Sequence, residues 1–350
     1  MKDSAHGGDV WSHSASAGLD PYGMIDFSSN VNDFSPLSHQ CSECHESLSL
    51  YPDPDQSRYT EGLCRYSGVS AEDVAILPGL TYFIRHIQDI LGFRKALVGS
   101  PTFMEYRSSQ FVNGNVSYIT YEALLKNHNL IGGYSPDLVV LVSPSNPTGE
   151  VVDHSDLVYL LDYLSRRGIS LFLDEAFVEF AGRSLAVSDA SLVSSYSNLY
   201  IGRSLSKLSG LPSLRSAYVI TSPENVSRIF QRIPPWMTSQ FFLHLIAQID
   251  FDALQYLPAK VAEVRNRFVS DMQELGFHPV GKPSANYVTF RCPRDHMGEK
   301  LVKGLLRSGV LIRSLWNYPE FGQDFIRIAI KRREKMEMLI GEIRRIIGNG

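Results

Sequence analysis

Short apolar runs alternate with amphipathic stretches through the middle of the chain. Residues 156–167 lie between two of the runs and carry Leu157, Leu160, Leu161 and Leu164, which is the spacing of a helix. The runs themselves predict buried strands at 96–98, 138–142, 169–173, 199–201 and 216–220. This alternation is typical of a mostly parallel sheet that is covered by helices. We therefore predict an α/β fold for the middle of the chain.

The C-terminal third follows a different pattern, in which helices and strands mix. Long amphipathic stretches predict helices at 257–275, about 298–308 and about 333–347, and apolar runs predict strands at 287–290, 310–313 and 325–330. We expect this α+β region to pack with the N-terminal segment. The predicted domains are a large one, residues 46–249, and a smaller discontinuous one, residues 1–45 and 250–350.

Composition narrows the function classes. The 350 residues are 44% hydrophobic and 20% charged, enough to bury a large core. A net charge of −4 and a pI of about 6.2 give no reason to expect a nucleic-acid partner. No run of 18 apolar residues predicts a membrane span, and the N-terminus lacks the apolar segment of a secretory signal. We expect a cytoplasmic protein.

The spacing of Cys41, Cys44 and His45 matches the pattern of c-type haem attachment. That chemistry requires export, for which the sequence has no signal. A zinc site that uses Cys41, Cys44 and either His45 or Cys64 is a second interpretation. Reduced surface thiols are the third, and it is the one we prefer, so we predict no metal.

Polar residues follow the predicted strands of the middle region. Asn146 and Asp174 come just after two strands, and Ser204 follows the strand at 199–201 closely. Ligands of parallel sheets bind beyond the carboxyl ends of the strands. We therefore expect these side chains to converge on one crevice.

The residue types in this crevice suit pyridoxal 5'-phosphate (PLP). Lys207 can form a Schiff base with its aldehyde, and Asp174 can pair with its protonated pyridine nitrogen. Asn146 can donate a hydrogen bond to its phenolate oxygen. Ser204 and Arg215 can hold its phosphate. The order and spacing of these residues carry the prediction, because each alone has an ordinary explanation.

Those ordinary explanations are specific. Lys207 alone is a loop lysine in a short, common Ser-x-Ser-Lys motif. Asp174 alone is equally well an exposed strand-end residue or a helix N-cap. Residues 146–149, Asn-Pro-Thr-Gly, usually form only a turn.

A further phosphate cradle is predicted where a helical pattern starts after a glycine. Gly79 permits a close approach, and the backbone N–H groups of Leu80 and Thr81 would open the helix N-terminus. Phe103 follows the strand at 96–98 and is a candidate to stack on the coenzyme ring. The alternatives are a capped helix and a core aromatic.

With these motifs the chain resembles the fold-type I PLP enzymes of the class I/II aminotransferase family, which includes histidinol-phosphate aminotransferase. The resemblance covers nearly the whole length and implies the aspartate-aminotransferase-like fold. It implies that Tyr51 reaches the PLP phosphate of a partner subunit, and hence a homodimer. It also implies that Arg327 grips the substrate α-carboxylate. Phe177 stands where aminotransferases of the family usually have a tyrosine that donates to the phenolate oxygen of PLP.

Several segments look more like one branch of the family, the L-threonine-O-3-phosphate decarboxylases of cobalamin biosynthesis. They are His-Gly-Gly at 6–8, Asp-Phe-Ser-Ser-Asn-Val-Asn at 26–32, Tyr-Pro-Asp-Pro-Asp at 51–55 and Pro-Pro-Trp at 234–236. The resemblance implies decarboxylation of L-threonine O-3-phosphate to (R)-1-aminopropan-2-yl phosphate. Transamination of histidinol phosphate with 2-oxoglutarate is the alternative. In both cases the substrate carries a phosphate.

The resemblance also suggests which residues hold that substrate. Asn30 or Asn32 would assist Arg327 at the carboxylate. The phosphate would be bound by His6, Arg58 and Arg313. The reaction depends on which bond to the substrate α-carbon stands perpendicular to the coenzyme ring. Decarboxylation follows if it is the bond to the carboxylate. If it is the Cα–H bond, Lys207 can act as the base for transamination.

Overall fold

The computed structural model describes residues 6–35, 49, 51–54, 56–182 and 190–348. The predicted metal candidates Cys41, Cys44 and His45 lie outside the described residues. The strands, numbered β1 to β13, are Ile25–Asp26, Val74–Leu77, Ala96–Ser100, Val116–Thr120, Leu138–Val142, Ser170–Asp174, Leu199–Arg203, Ala217–Ile220, His278–Pro279, Tyr287–Arg291, Val310–Leu311, Arg313–Ser314 and Phe325–Ala329. The α-helices, numbered α1 to α14, are Val10–Ala17, Glu61–Ser67, Leu80–Leu91, Tyr121–Lys126, Asn129–Tyr134, His154–Ser165, Val178–Ala181, Ala190–Ser195, Leu205–Leu208, Pro223–Arg232, Gln240–Gln248, Leu257–Glu274, Met297–Arg307 and Arg333–Gly348.

Contacts divide the chain into two compact units. The large unit comprises Ser35–Asn146 and Val151–Leu257, and the small unit comprises Met1–Phe34, Pro147–Glu150 and Pro258–Gly350. The predicted domains have boundaries at 45/46 and 249/250. They assign Pro147–Glu150 to the large domain, whereas these residues belong to the small unit. Four residues in a turn carry no composition signal that would assign them to a distant part of the chain.

A seven-stranded sheet forms the centre of the large unit, in the order β2-β8-β7-β6-β5-β3-β4. Strands β3 to β7 run parallel, and β8 is antiparallel to both of its neighbours. The predicted α/β fold is confirmed. All five residues of β5 are buried, as expected of a strand with helices on both faces.

Apolar helix faces cover this sheet. The leucines that predicted a helix, Leu157, Leu160, Leu161 and Leu164, are all buried in α6. Helix α3 contributes a second apolar face, which packs into a core cluster with the strands. Burial of this kind stabilises a fold by roughly 25 cal/mol per Å² of apolar surface removed from water. The parallel strands are thereby fixed in register, which places their carboxyl ends together.

The small unit contains an antiparallel sheet in the order β12-β13-β10-β9 and a parallel pair of β1 with β11. The chain near the N-terminus is tied to it by Phe27, whose carbonyl accepts from the Ala329 N–H at 2.9 Å. Asp33 adds a second tie, because its carboxylate accepts from the Arg332 N–H at 2.9 Å and the Lys335 ammonium at 2.6 Å.

Most predicted strands differ from the observed ones by one or two residues at an end, and two differences bear on the site. The run at 310–313 is divided into β11 and β12, which belong to different sheets. Strand β6 ends on Asp174 itself rather than before it. A buried carboxylate can end a strand when hydrogen bonds compensate its burial. Among the described residues, no helix is both long and apolar enough to cross a membrane.

Candidate active site

The predicted coenzyme residues of the large unit lie at one edge of its sheet. Asp174 is level with Val142 of β5 on one side and Gly202 of β7 on the other. Arg203 of β7 pairs with Tyr218 of β8, and Ala217 of β8 pairs with Leu77 of β2. Strands β8 and β2 therefore also reach this edge of the sheet. The coenzyme candidates other than Tyr51 lie at a strand end or within a few residues of one. The expected convergence is therefore present in the backbone.

Asp174 is a buried carboxylate at the end of β6, with 3% of its surface exposed. Its Oδ1 accepts from the Ala176 N–H at 3.0 Å, and its Oδ2 accepts from the Tyr106 hydroxyl at 2.7 Å. In the described part of the chain it has no ion-pair partner. Burial raises the pKa of Asp174 to about 6, although the bonds from Tyr106 and Ala176 oppose that rise.

Tyr106 was not predicted from the sequence. It lies in a short 3-10 helix, Met104–Arg107, after β3, and its side chain is fully buried. It is 68 residues away from Asp174 along the chain. The one available signal was its place just after a strand that ends at the same edge, next to the predicted stacking residue Phe103.

Lys207 lies in α9, which begins directly after β7 and Ser204. The turn is fixed by its neighbour Ser206, whose hydroxyl donates to the Ser216 carbonyl at 3.0 Å and accepts from the Ser216 N–H at 2.7 Å. Ser206 thereby links the lysine segment to the residue before β8. Ser204 is buried, and Lys207 is partly exposed.

Gly79 and Arg215 adjoin each other, as a phosphate site requires. A Cβ atom at Gly79 would lie 3.1 Å from the Arg215 Nη2 atom. Gly79 is also the N-cap of α3, with a φ of 101° that side chains rarely adopt. The N–H groups of Leu80 and Thr81 follow at the first turn, where a phosphate is favoured by the helix dipole.

The remaining coenzyme candidates of the large unit have mixed surroundings. Asn146 is buried and directly precedes the small-unit segment that begins at Pro147. Phe177 is buried and its ring lies 6.5 Å from that of Phe180. Phe103 is partly exposed and makes an edge contact with Tyr106 at 6.4 Å. Their predicted roles toward the ring and its phenolate oxygen stay predictions.

Tyr51 and Arg58 belong to the large unit and precede α2 along the chain. Tyr51 is 81% exposed, and its ring lies 5.1 Å from that of Trp236. Arg58 pairs with Asp53 at 3.2 Å. Gln240 holds this segment, because its side-chain oxygen accepts from the Asp53 N–H at 2.6 Å.

The small unit contains two buried arginines in facing positions. Arg313 of β12 is directly opposite Arg327 of β13, and they are 6% and 5% exposed. Arg313 donates to the Asn317 amide oxygen at 3.0 Å, and Arg327 donates to the Ser28 carbonyl at 2.9 Å. Both of these acceptors are neutral, and burial lowers the pKa of Arg327. Like charges that face each other across strands repel, and an anionic ligand would offset that repulsion.

The N-terminal segment reaches the same place. Ser28, whose carbonyl accepts from Arg327, also accepts the Gly8 N–H on its hydroxyl at 2.8 Å. This bond puts the segment that contains His6 beside the arginine pair within the small unit. Asn32 uses its amide oxygen to accept from the Phe34 N–H at 2.9 Å.

Asn30 has an unsatisfied polar atom in this cluster. Its Oδ1 is buried and has no hydrogen-bond partner among the described residues, and the same holds for Oδ1 of Asn286. The Asn286 side chain adjoins the backbone of Asn30, because its amide donates to the Asn30 backbone carbonyl at 3.1 Å. Ordered water or a polar ligand commonly satisfies buried polar atoms of this kind.

Comparison with known proteins places this geometry in a family. The family model described as aminotransferase class I and II matches residues 22–343. The chain belongs to this family. A threonine-phosphate decarboxylase from Salmonella typhimurium is 26% identical over 358 residues, which cover 99% of this chain and 97% of that protein.

Other relatives carry a second activity. Histidinol-phosphate aminotransferase 2 from Archaeoglobus fulgidus is 26% identical over 333 residues, which cover 92% of this chain and 93% of that protein. The structure of a histidinol-phosphate aminotransferase from Sinorhizobium meliloti in complex with pyridoxal-5'-phosphate superposes with a TM-score of 0.82 at 20% identity, over 97% of this chain and 94% of that one. The fold is the one that the sequence predicted.

The chain is a PLP-dependent enzyme of the class I/II family, and its residues fit the coenzyme. Asp174 is a buried carboxylate that lacks a cation among the described residues, and the pyridinium of PLP would supply one. The missing side chain of Gly79 lets the Arg215 guanidinium lie against the start of α3, where it could bind a phosphate. Lys207 is the predicted covalent attachment point. When bound, PLP withdraws electrons from the substrate α-carbon.

Proposed function

We propose that this enzyme decarboxylates L-threonine O-3-phosphate to (R)-1-aminopropan-2-yl phosphate. The observation that carries the proposal is the pair of buried arginines, Arg313 and Arg327, at facing positions of the small-unit sheet. This substrate has two anionic groups, a carboxylate and a phosphate, and two guanidinium groups match them. The Salmonella typhimurium decarboxylase, which spans almost the whole chain, supports the same choice.

In this proposal Arg327 binds the carboxylate in a bidentate pair, and Arg313 binds the phosphate. His6 belongs to the segment that Ser28 holds beside Arg327, and it would add a donor to the phosphate. Asn30 and Asn32 would orient the carboxylate. Held in this way, the carboxylate would leave as CO₂ and a proton would replace it on the α-carbon, while PLP, when bound, would supply the electron sink for the bond cleavage.

Arg58 is a further phosphate ligand in the proposal. It is exposed and paired with Asp53, so its contribution requires that the Arg58 side chain turn from Asp53 to the substrate. The family resemblance adds that Tyr51 acts in a partner subunit, and we propose a homodimer. The 81% exposure of Tyr51 in the single chain supports that proposal. Mixing Tyr51→Ala and Lys207→Ala subunits would test it, because only hybrid dimers would contain one complete site. An equilibrated equimolar mixture should then regain about a quarter of the wild-type activity.

Transamination of histidinol phosphate with 2-oxoglutarate is the second candidate. It is favoured by the Archaeoglobus fulgidus aminotransferase, which covers 92% of this chain. Histidinol phosphate carries one phosphate and no carboxylate, whereas 2-oxoglutarate carries two carboxylates, so the arginine pair also matches the second half of this reaction. In this reaction the Lys207 amine would remove the α-proton.

Product analysis of the PLP-saturated enzyme distinguishes the two candidates. One mixture contains L-threonine O-3-phosphate alone, and the other contains histidinol phosphate with 2-oxoglutarate. We expect CO₂ and aminopropanol phosphate from the first and no glutamate from the second. Glutamate from the second without CO₂ from the first would establish the aminotransferase. The decarboxylase result would suit a place in cobalamin synthesis.

A further inference from the structure

Among the described residues, the side chain that donates a hydrogen bond to Asp174 is Tyr106, through its hydroxyl. Its distance to Asp174 Oδ2 is 2.7 Å, and the other carboxylate oxygen accepts from the Ala176 N–H. An ionised carboxylate offers about four acceptor positions. One bond on each oxygen therefore leaves positions open while the plane of the group is fixed.

Tyr106 is itself held from several sides. Its ring makes edge contacts with Phe111 at 5.2 Å, Phe103 at 6.4 Å and Phe172 at 6.5 Å. Its backbone carbonyl accepts from the Tyr118 hydroxyl at 3.0 Å. A fully buried phenol with this many contacts has little freedom to move away from the carboxylate.

The direction of the hydrogen bond follows from the protonation states. Burial and the nearby charge of Asp174 raise the pKa of Tyr106 well above its usual value, so the phenol keeps its proton and donates. A donor bonded to a carboxylate favours the ionised form. The pKa of Asp174, which burial raises to about 6, is lowered by this bond relative to the effect of burial alone.

We infer that Tyr106 is a positioning residue for the coenzyme, which keeps the Asp174 carboxylate ionised and oriented toward the pyridine nitrogen of PLP. The inference rests on the role proposed for Asp174. It does not depend on the reaction, because decarboxylation and transamination use the same pyridinium. Product analysis tests the reaction and leaves this inference untouched, so failures of the two are distinguishable.

Tyr106→Phe removes the hydroxyl and retains the ring. We expect the dissociation constant of PLP to rise about tenfold, the loss of one hydrogen bond to a charged group. We also expect the pH midpoint of the visible absorbance band of the bound coenzyme to rise by about half a unit or more. The positive charge on the pyridine ring lowers the pKa of the other protonated group of the bound coenzyme. Loss of that charge in the variant therefore raises this pKa and with it the midpoint.

Tyr196→Phe is the matched control. Tyr196 also donates to an aspartate, Asp162, at 2.7 Å, but Asp162 belongs to α6. We expect this variant to leave the dissociation constant within about twofold and the midpoint unchanged, as for a hydrogen bond that serves only the fold. Equal effects of the two substitutions would overturn the inference.

An analogue separates positioning from packing. In 1-deazapyridoxal 5'-phosphate a carbon replaces the pyridine nitrogen, so Asp174 has nothing to pair with. We expect Tyr106→Phe to weaken PLP binding about tenfold and binding of the analogue hardly at all. Equal weakening of both would mean that Tyr106 only shapes the cavity. If Asp174→Ala changes neither affinity nor midpoint, the role of Asp174 fails, and the inference fails with it.

A second substitution covers the case in which Tyr106→Phe does not fold. Incorporation of 3-fluorotyrosine at position 106 nearly preserves the side-chain volume and makes the phenol a stronger donor. We expect the midpoint to move downward, opposite to the effect of Tyr106→Phe. No shift, or an upward shift, would overturn the inference.

Discussion

At the scale of single residues, the candidate site stores an unfavourable charge. Asp174 is buried at the end of β6 with two hydrogen bonds and, among the described residues, no cation. Arg313 and Arg327 are also buried, and they occupy facing positions of the small-unit sheet. Strain of this kind concentrates at functional sites, where a ligand relieves it.

The first prediction concerns the stability of the PLP-free enzyme. The pKa of Asp174 is raised from 3.8 to about 6, so the folded state binds more protons than the unfolded state between these values. Stability from this group is therefore lost as pH rises, and above pH 6 the loss is about 3 kcal/mol. We expect Asp174→Asn to unfold at a higher temperature than wild type at pH 7.5, with a smaller gain at pH 5.

Calorimetry of the two PLP-free proteins across this pH range is the measurement. The same variant should bind PLP more weakly, because the neutral amide no longer favours a protonated pyridine nitrogen. A lower unfolding temperature for Asp174→Asn at every pH would contradict the account of a charge held at a cost to the fold.

The second prediction concerns substrate binding. Arg327→Ala should lower kcat/KM for L-threonine O-3-phosphate by about 100-fold, because a desolvated guanidinium–carboxylate pair contributes roughly 2–5 kcal/mol. Arg291→Ala is the control, since Arg291 lies in β10 of the same sheet but is exposed. Steady-state kinetics of both variants decide the matter. Equal losses would remove Arg327 from the substrate site.

At the scale of elements, helix α3 and the strand ends assemble the phosphate site. Gly79 begins α3 beside Arg215. Gly92 ends the same helix with a φ of 80°, and no atom lies within 4 Å of the position that a Cβ atom would take there. The two glycines share a positive φ that other residues adopt at a cost. They differ in what a side chain would touch.

This difference gives the third prediction. Gly92→Ala should lower stability by about 1–2 kcal/mol, the usual cost of a left-handed residue with a Cβ, and Gly79→Ala by about 1–3 kcal/mol, since its φ of 101° with a ψ of 148° lies in a region that is essentially restricted to glycine. Only Gly79→Ala should weaken PLP binding, by about tenfold or more, because its methyl group meets the Arg215 guanidinium at 3.1 Å. Urea unfolding and PLP titration measure the two effects. Similar PLP affinity in both variants would remove Gly79 from the phosphate site.

The elements were largely predictable from the sequence, and the contacts between them were not. Apolar runs and leucine spacing predicted β5 and α6 because those patterns are local. Tyr106 was missed because its partner lies 68 residues away. The facing of Arg313 and Arg327 depends on strand register, which neither β12 nor β13 encodes alone.

At the scale of the whole molecule, the two units hold different parts of the proposed chemistry. The large unit supplies Lys207, Asp174 and the Gly79–Arg215 cradle at one sheet edge. The small unit supplies the arginine pair. The sequence predicted the class of enzyme from motifs in the large unit, whereas the choice of substrate rests on the small unit and its N-terminal segment.

The central claim is that this arrangement removes a carboxylate. The most direct measurement gives the PLP-saturated enzyme L-threonine O-3-phosphate labelled with ¹³C at the carboxyl carbon, and histidinol phosphate and 2-oxoglutarate in the same vessel. Carbon NMR follows the label. The account predicts that the label appears in CO₂ and bicarbonate while 2-oxoglutarate persists. Label that stays in the amino acid while glutamate accumulates would contradict it.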